Sequence, residues 1–209
     1  MAQTEKHKGF TLWFTGLPSS GKTTLAAIIA EELKSRGRFL EMLDGDEVRK
    51  HLTKGLGFSR EDRDENIRRI GYVCRLLSRN GVVAIASAIS PYRAVRDEVR
   101  AGHEPNRFIE VFVDTPVEVC IQRDVKGLYK KALAGEIKNF TGIDDPYEPP
   151  LAPEIVIHTP SEPEQKSAER ILARLEQLGL VEPVPEPAYT PEEAEKIRER
   201  LTRLGYIEQ

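Results

Sequence analysis

Apolar and polar positions alternate along this chain in two rhythms. Compact β-prone runs at Phe10–Thr15, Phe39–Leu43, Val82–Ser87, Phe108–Val113 and Ile155–Ile157 read as buried parallel strands. Between them, apolar residues recur at helical spacing, as in Leu25, Ile28, Ile29 and Leu33. The helices predicted this way span about residues 22–36, 64–79, 91–101, 116–124 and 164–178. Strand–helix alternation with short connections predicts an α/β fold, a parallel β-sheet flanked by helices on both faces. Ligands of such sheets bind beyond the carboxyl ends of the strands. The residues that matter most are therefore Gly16–Thr23, Asp44–Arg49, Ser87–Arg93 and Asp114.

Two stretches break the rhythm. Residues 126–153 are rich in Lys, Gly and Pro, which suits a loop ordered by a ligand, and 126–150 reads as a lid over a domain of residues 1–180. Pro183, Pro185 and Pro187 make 181–189 a stiff extended linker. It leads to a tail, 190–209, in which Thr190 and Pro191 open a short helix with Ile197, Leu201 and Leu204 on one face.

The first connection carries the strongest chemical signal. Residues 16–23 read Gly-Leu-Pro-Ser-Ser-Gly-Lys-Thr, the G-x-x-x-x-G-K-[ST] phosphate-binding loop, placed where a strand turns into a helix. Gly16 and Gly21 let the backbone of Leu17, Pro18, Ser19 and Ser20 curl into an anion nest at the positive end of the helix. Lys22 reaches β- and γ-phosphates, Thr23 offers its hydroxyl to Mg²⁺, and Thr24 completes the ATP-binding set on this loop. After the second strand, Asp44 and Asp46 place two carboxylates beside the γ-phosphate, able to hold hydrated Mg²⁺ or to orient an attacking hydroxyl. Phosphoryl transfer through a loose transition state needs that orientation and late proton acceptance, not early deprotonation. Arg49, one turn on, is placed to bind an anionic acceptor, although a helix cap with a surface arginine has the same pattern.

Composition narrows the class. The chain has 209 residues and a formal net charge of −3, so no global basic field points to nucleic acid. No apolar stretch approaches membrane-spanning length, and the N-terminus lacks a signal-peptide core, which makes the cytoplasm the expected location. Cys74 and Cys120 sit in apolar helical patterns and read as buried thiols. Neither Asp-x-x-Gly after a later strand nor an Asn-Lys-x-Asp motif is present, so a small-molecule kinase is favoured over a GTPase. A kinase for another small hydroxyl acceptor and a non-catalytic nucleotide-sensing domain are the competing readings.

Several further motifs stand in order: Leu-Asp-Gly-Asp-Glu-Val-Arg at 43–49, Leu-Gly-Phe-Ser-Arg-Glu-Asp-Arg-Asp-Glu-Asn-Ile-Arg-Arg at 56–69, and Ile-Ser-Pro-Tyr-Arg at 89–93. Arg-Asp-Val-Lys-Gly-Leu-Tyr-Lys-Lys-Ala at 123–132 and Phe-Thr-Gly-Ile-Asp-Asp-Pro-Tyr-Glu-Pro-Pro at 140–150 follow. With the phosphate loop, these make residues from about Gly9 to Gly179 resemble the adenylylsulfate kinases. The resemblance implies transfer of the ATP γ-phosphate, with Mg²⁺, to the 3′-hydroxyl of adenylyl sulfate. In it, Lys22, Asp46 and Ser90 take the catalytic positions, and Arg123 joins the ATP-binding set. Asp44, Arg49, Phe58, Arg63, Asn66, Ile89, Ser90, Lys126, Leu128 and Phe140 become acceptor-binding, with Phe58 and Phe140 as the pair that sandwiches the adenine.

The family marks the serine of Ile-Ser-Pro as a phosphoserine intermediate. No activating base is evident beside Ser90, so direct transfer is expected, with Ser90 a hydrogen-bond donor in the pocket. The resemblance also implies a homodimer and leaves association with an ATP sulfurylase open. Ala88 stands where the family commonly has a bulky residue.

Overall fold

A computed structural model describes residues 8–183, 191–203 and Tyr206. Five parallel strands form one sheet: β1 (Thr11–Thr15), β2 (Leu40–Asp44), β3 (Val83–Ser87), β4 (Phe108–Asp114) and β5 (Ile155–His158), in the order β2-β3-β1-β4-β5. All five were legible as apolar runs, with ends displaced by a residue. The register pairs Phe14 and Asp44 with Ser87, Thr15 with Phe112, and Asp114 with His158, so the carboxyl ends line one edge. The chain leaves β1 toward β2 and later crosses to β4 on the other side. A crevice therefore opens beyond β1.

Side chains alternate along β1 and divide the core. Leu12 and Phe14 face α1 (Lys22–Ser35) and α7 (Glu164–Gln177), where Leu25, Ile29, Ile171 and Leu175 complete an apolar layer. Trp13 faces α3 (Arg60–Arg79) and α4 (Arg93–Ala101), joining Ile67, Ile70, Cys74 and Val95. Both layers follow from period 2 in the strands and period 3.6 in the helices. Gly71 is fixed by packing: a Cβ there would lie 2.5 Å from a Val99 methyl, so α3 and α4 meet at a distance only glycine permits.

Three local structures depart from the predicted pattern. α3 starts at Arg60 rather than 64, because the Ser59 hydroxyl accepts the Asp62 N–H (3.1 Å) and caps it. Gly45–His51 forms a separate helix, α2, capped by Asp44 through the Asp46 N–H (3.0 Å). Between them and β5 lie α5 (Val117–Arg123) and α6 (Leu128–Leu133). α6 falls inside the stretch expected to be a loop. It begins after Gly127, which has φ 66°, and the Asp124 carboxylate accepts the N–H groups of Tyr129 and Lys130, both at 3.0 Å. A third, small apolar cluster of Cys120, Tyr129, Ala132 and Phe140 holds it down.

The tail helix α8 spans Pro191–Arg203, with Ile197 and Leu201 each a little over one-third exposed. Leu204 and Gly205, its expected last turn, and most of the proline linker lie outside the described residues. Among the described residues no helix is long and apolar enough to cross a membrane.

Candidate active site

The loop after β1 is shaped by its unusual backbone. Gly16, Ser19 and Gly21 have φ of 151°, 59° and 101°. A Cβ on Gly16 would sit 2.6 Å from the Val113 carbonyl oxygen, so the loop passes β4 as closely as backbone allows. Lys22 is buried at the start of α1, and its ammonium donates to the carbonyls of Gly16 (3.1 Å) and Leu17 (2.7 Å) and to Ser20 Oγ (3.4 Å). Burial pushes this ammonium from its usual 10.5 down to about 8. Thr24 lies exposed on the first turn.

Thr23 donates its hydroxyl to Asp44 Oδ2 (3.0 Å) and lies 3.2 Å from Ser87 Oγ. A hydroxyl and a carboxylate side by side form the oxygen donor set that a hydrated Mg²⁺ prefers, and a magnesium ion bound with phosphates needs little more from protein. Asp44, expected to bind the acceptor, is thus placed beside Thr23. Its other oxygen caps α2.

Asp46 is exposed on α2 and pairs with the Lys126 ammonium, itself exposed. Arg49, on the same helix, donates to the Gly57 carbonyl (3.1 Å) and stacks over the Phe58 ring at 4.4 Å. Burial depresses the Arg49 guanidinium, and the neighbouring Arg63 adds to this. Arg63 gathers two segments: its Nε donates to the Phe58 carbonyl (3.0 Å), and its remaining nitrogens donate to Thr141 Oγ1, the Asn139 carbonyl and Asp145 (3.1 Å). Asn66 is buried with its side-chain carbonyl accepting from the Thr53 hydroxyl (2.8 Å).

The two phenylalanines expected to sandwich the adenine differ in exposure. Phe58 is 63% exposed beneath Arg49, whereas Phe140 is 9% exposed and packs edge-on against Tyr129 at 5.0 Å. No direct ring-to-ring contact joins them among the described residues. Leu128 is partly buried in the same cluster as Phe140, and Tyr129 donates its hydroxyl to the Pro18 carbonyl (3.1 Å), tying α6 to the phosphate loop.

Ser90, expected as a pocket donor, is buried. It is 1% exposed, with φ 43°, and its hydroxyl is enclosed by Trp13 Nε1 (3.1 Å), Thr15 Oγ1 (3.1 Å) and the Ala88 carbonyl (3.3 Å). None of these is a base, so the surroundings of Ser90 offer no activation for a covalent step. The adjacent Ile89 carbonyl accepts from Thr15 Oγ1 (2.8 Å).

Arg123 closes the other side of the phosphate loop. It donates to the Ser20 carbonyl (3.3 Å) and to Thr159 Oγ1 (3.1 Å), and with Gly21, Leu25, Thr159 and Ser167 it lines a small cavity. Thr159 is a site residue that sequence reasoning missed, although its place just after the last strand was the available signal. Tyr92 and Asp145 were missed too. The Tyr92 hydroxyl donates to the Asp145 carboxylate (3.0 Å), and Arg60 covers the Tyr92 ring at 4.5 Å.

A phosphate loop opening a helix at the carboxyl end of the central strand of a parallel sheet, with two carboxylates after the strand two places away, defines a P-loop kinase. Residues 8–158 match the family model of the adenylylsulphate kinases, and the chain belongs to that family. It is 59% identical over 176 residues to an adenylyl-sulfate kinase of Gloeothece citriformis, covering 84% of this chain and 99% of that one. It is 60% identical over 173 residues to a probable bifunctional SAT/APS kinase of Sorangium cellulosum, covering 83% of this chain but 29% of the relative. The Mycobacterium tuberculosis APS kinase, solved in complex with AMPPNP and APS, superposes with a TM-score of 0.75 at 43% identity, covering 81% of this chain and 98% of that one.

Proposed function

We propose that this chain transfers the γ-phosphoryl group of ATP to the ribose 3′-hydroxyl of adenylyl sulfate, giving ADP and 3′-phosphoadenylyl sulfate. The observation that carries this reading is the single edge on which Lys22, the Thr23–Asp44 pair and Asp46 stand together, in a chain of this family. Lys22 exchanges its loop carbonyls for β- and γ-phosphate oxygens, which replace weak neutral acceptors by charged ones. Thr23 and Asp44 would hold Mg²⁺, which when bound neutralises phosphate charge and supports departure of ADP. Asp46, released from Lys126, accepts a hydrogen bond from the acceptor hydroxyl and takes its proton late in transfer. Arg49 and Arg63, with Phe58 and Phe140, then address the acceptor's anionic group and base. Arg123 and the Thr159 cavity take part of the ATP. Ser90 frames the acceptor pocket through its backbone and carries no phosphate.

A cytoplasmic homodimer is part of the same reading, as is association with an ATP sulfurylase; the Sorangium relative, a probable bifunctional SAT/APS kinase, supports the latter.

The test is Mg·ATP-dependent ADP release with adenylyl sulfate, against AMP, adenosine, gluconate and no acceptor. Turnover confined to adenylyl sulfate, with 3′-phosphoadenylyl sulfate formed, is the expected result. Tight ATP binding with no such turnover overturns the reading and returns the choice to another acceptor or a nucleotide-sensing role.

A further inference from the structure

Arg96, the fourth residue of α4, has 1% of its surface exposed, and its guanidinium bonds to no side chain of the phosphate-loop or acceptor residues. A guanidinium in that position is destabilising unless its charge is paired and its donors are used. The charge is met by Glu110 of β4, also buried, whose Oε1 accepts from Arg96 Nε at 2.9 Å and whose Oε2 accepts from Arg100 at 3.1 Å. Arg100 in turn pairs with Glu154. Charge balance is complete at that point.

The two remaining arms of Arg96 go elsewhere. One donates to the Ser90 carbonyl and the other to the Glu148 carbonyl, both at 2.6 Å. These carbonyls belong to separate segments, the turn after β3 and the return of the 126–150 segment to the body. Ser90 is held at φ 43°, a conformation that costs a non-glycine residue on the order of 1 kcal/mol or more and persists only where surroundings impose it. Around Arg96 the same two segments are joined again: the Glu148 N–H donates to the Pro91 carbonyl (2.8 Å), and the Glu148 carboxylate accepts the Arg93 N–H (2.8 Å). Between them the Tyr147 hydroxyl lies 2.9 Å from Thr15 Oγ1, and the Arg96 guanidinium lies 5.7 Å from the Tyr147 ring.

We propose that Arg96 is a positioning residue for the acceptor. By holding the Ser90 and Glu148 carbonyls on one planar fork, it sets both the Ile89–Ser90 wall and the fixed end from which the 126–150 segment extends. The kinetic part of this inference rests on the function proposed above. A lysine keeps the positive charge opposite Glu110, but its ammonium is a point donor and cannot span two carbonyls and a carboxylate in the same plane.

Three variants test it. Arg96→Lys should raise KM for adenylyl sulfate about tenfold, the loss of one charge-assisted contact pair, and leave KM for ATP within about twofold. In the ligand-free protein the Glu148 amide should exchange hydrogen faster. Glu110→Gln removes the charge partner while leaving both carbonyl contacts; it should lower the melting temperature and keep KM for adenylyl sulfate near wild type. Should Arg96→Lys not fold, the double variant Arg96→Gln/Glu110→Gln, with no unpaired buried charge, carries the same comparison and should raise the acceptor KM alone. Unchanged acceptor KM and unchanged Glu148 exchange in a folded Arg96 variant overturn the proposal. So does an equal rise in acceptor KM in Glu110→Gln, because the effect would then come from the ion pair. If the wild-type protein fails to turn over adenylyl sulfate, the functional reading falls, and the exchange of the Glu148 amide still decides what Arg96 holds.

Discussion

Two regions on the same edge of the sheet treat polar groups in opposite ways. At the junction of Thr15, Ser90, Arg96, Tyr147 and Glu148, side chains are buried or half-buried and bonded to partners that belong to the fold. Burial also pushes the Tyr147 phenol up to about 12, which keeps it a neutral donor at any working pH. Around the phosphate loop, charged groups sit on partners they would have to leave. Lys22 rests on carbonyls of its own loop, and Asp46 on Lys126, a pair exposed by more than half on both sides. Breaking a buried pair costs about 3–5 kcal/mol, whereas an exposed pair contributes about 1 kcal/mol or less. A kinase of this architecture thus combines a frame too costly to rearrange with contacts cheap enough to exchange for substrates.

The largest effect that sharpens this contrast is expected from Lys22→Ala. It should lower turnover by about a thousandfold or more, the scale of removing a positive charge from a transferring phosphoryl group, while the melting temperature stays near wild type. The titration of Lys22 adds a sign. With the ammonium lowered to about 8 in the free protein, it is charged below that pH and neutral above it. ATP affinity should therefore be highest below pH 8 and fall as pH rises past it, with proton uptake on binding; calorimetry in buffers of different ionisation heat measures this, and Lys22→Ala should abolish it. The same lowered value means that between about 8 and 10.5 the unfolded chain holds a proton the folded one lacks, so this group's contribution to stability rises with pH across that window.

Next in size, Lys126→Met should reduce kcat/KM for adenylyl sulfate about tenfold, a loss of one charge at the acceptor, without changing thermal stability, because the exposed pair contributes little to folding. The smallest effect is expected at Tyr147. Tyr147→Phe removes one hydrogen bond to Thr15 and should cost about 1 kcal/mol of stability in chemical denaturation, leaving kcat within a factor of about two. A Tyr147→Phe that slowed turnover as much as Lys126→Met would erase the distinction between frame and exchangeable set.

The exchangeable set was largely legible in the sequence, because its chemistry is local. A phosphate loop declares itself in eight consecutive residues, and the two carboxylates follow a strand end that hydropathy alone locates. The frame was not legible. Arg96 reads as one more cation on an amphipathic helix, and its meaning comes from Glu148, 52 residues away. Phe140 lies in a stretch that reads as a loop, and the apolar surface that Tyr129 and α6 supply for it was not legible there. α6 itself was hidden by a composition of Lys and Gly, and its cap is Asp124, placed four residues before the helix. Where the start of α3 was misplaced, the signal was present: Ser59 stands three residues before Asp62, a cap pattern that the apolar periodicity did not reach.

Asp44 gives the molecule a joint. One of its oxygens receives the Thr23 hydroxyl at the head of α1, and the other receives the Asp46 N–H at the head of α2. The helix that grips the donor and the helix that presents Asp46 and Arg49 are hinged on a single carboxylate. Whatever draws on Asp44 from the donor side is felt in the first turn of α2, with no domain having to travel. An alanine there would remove both arms of the joint, uncoupling two helix heads that lie 23 residues apart in the chain.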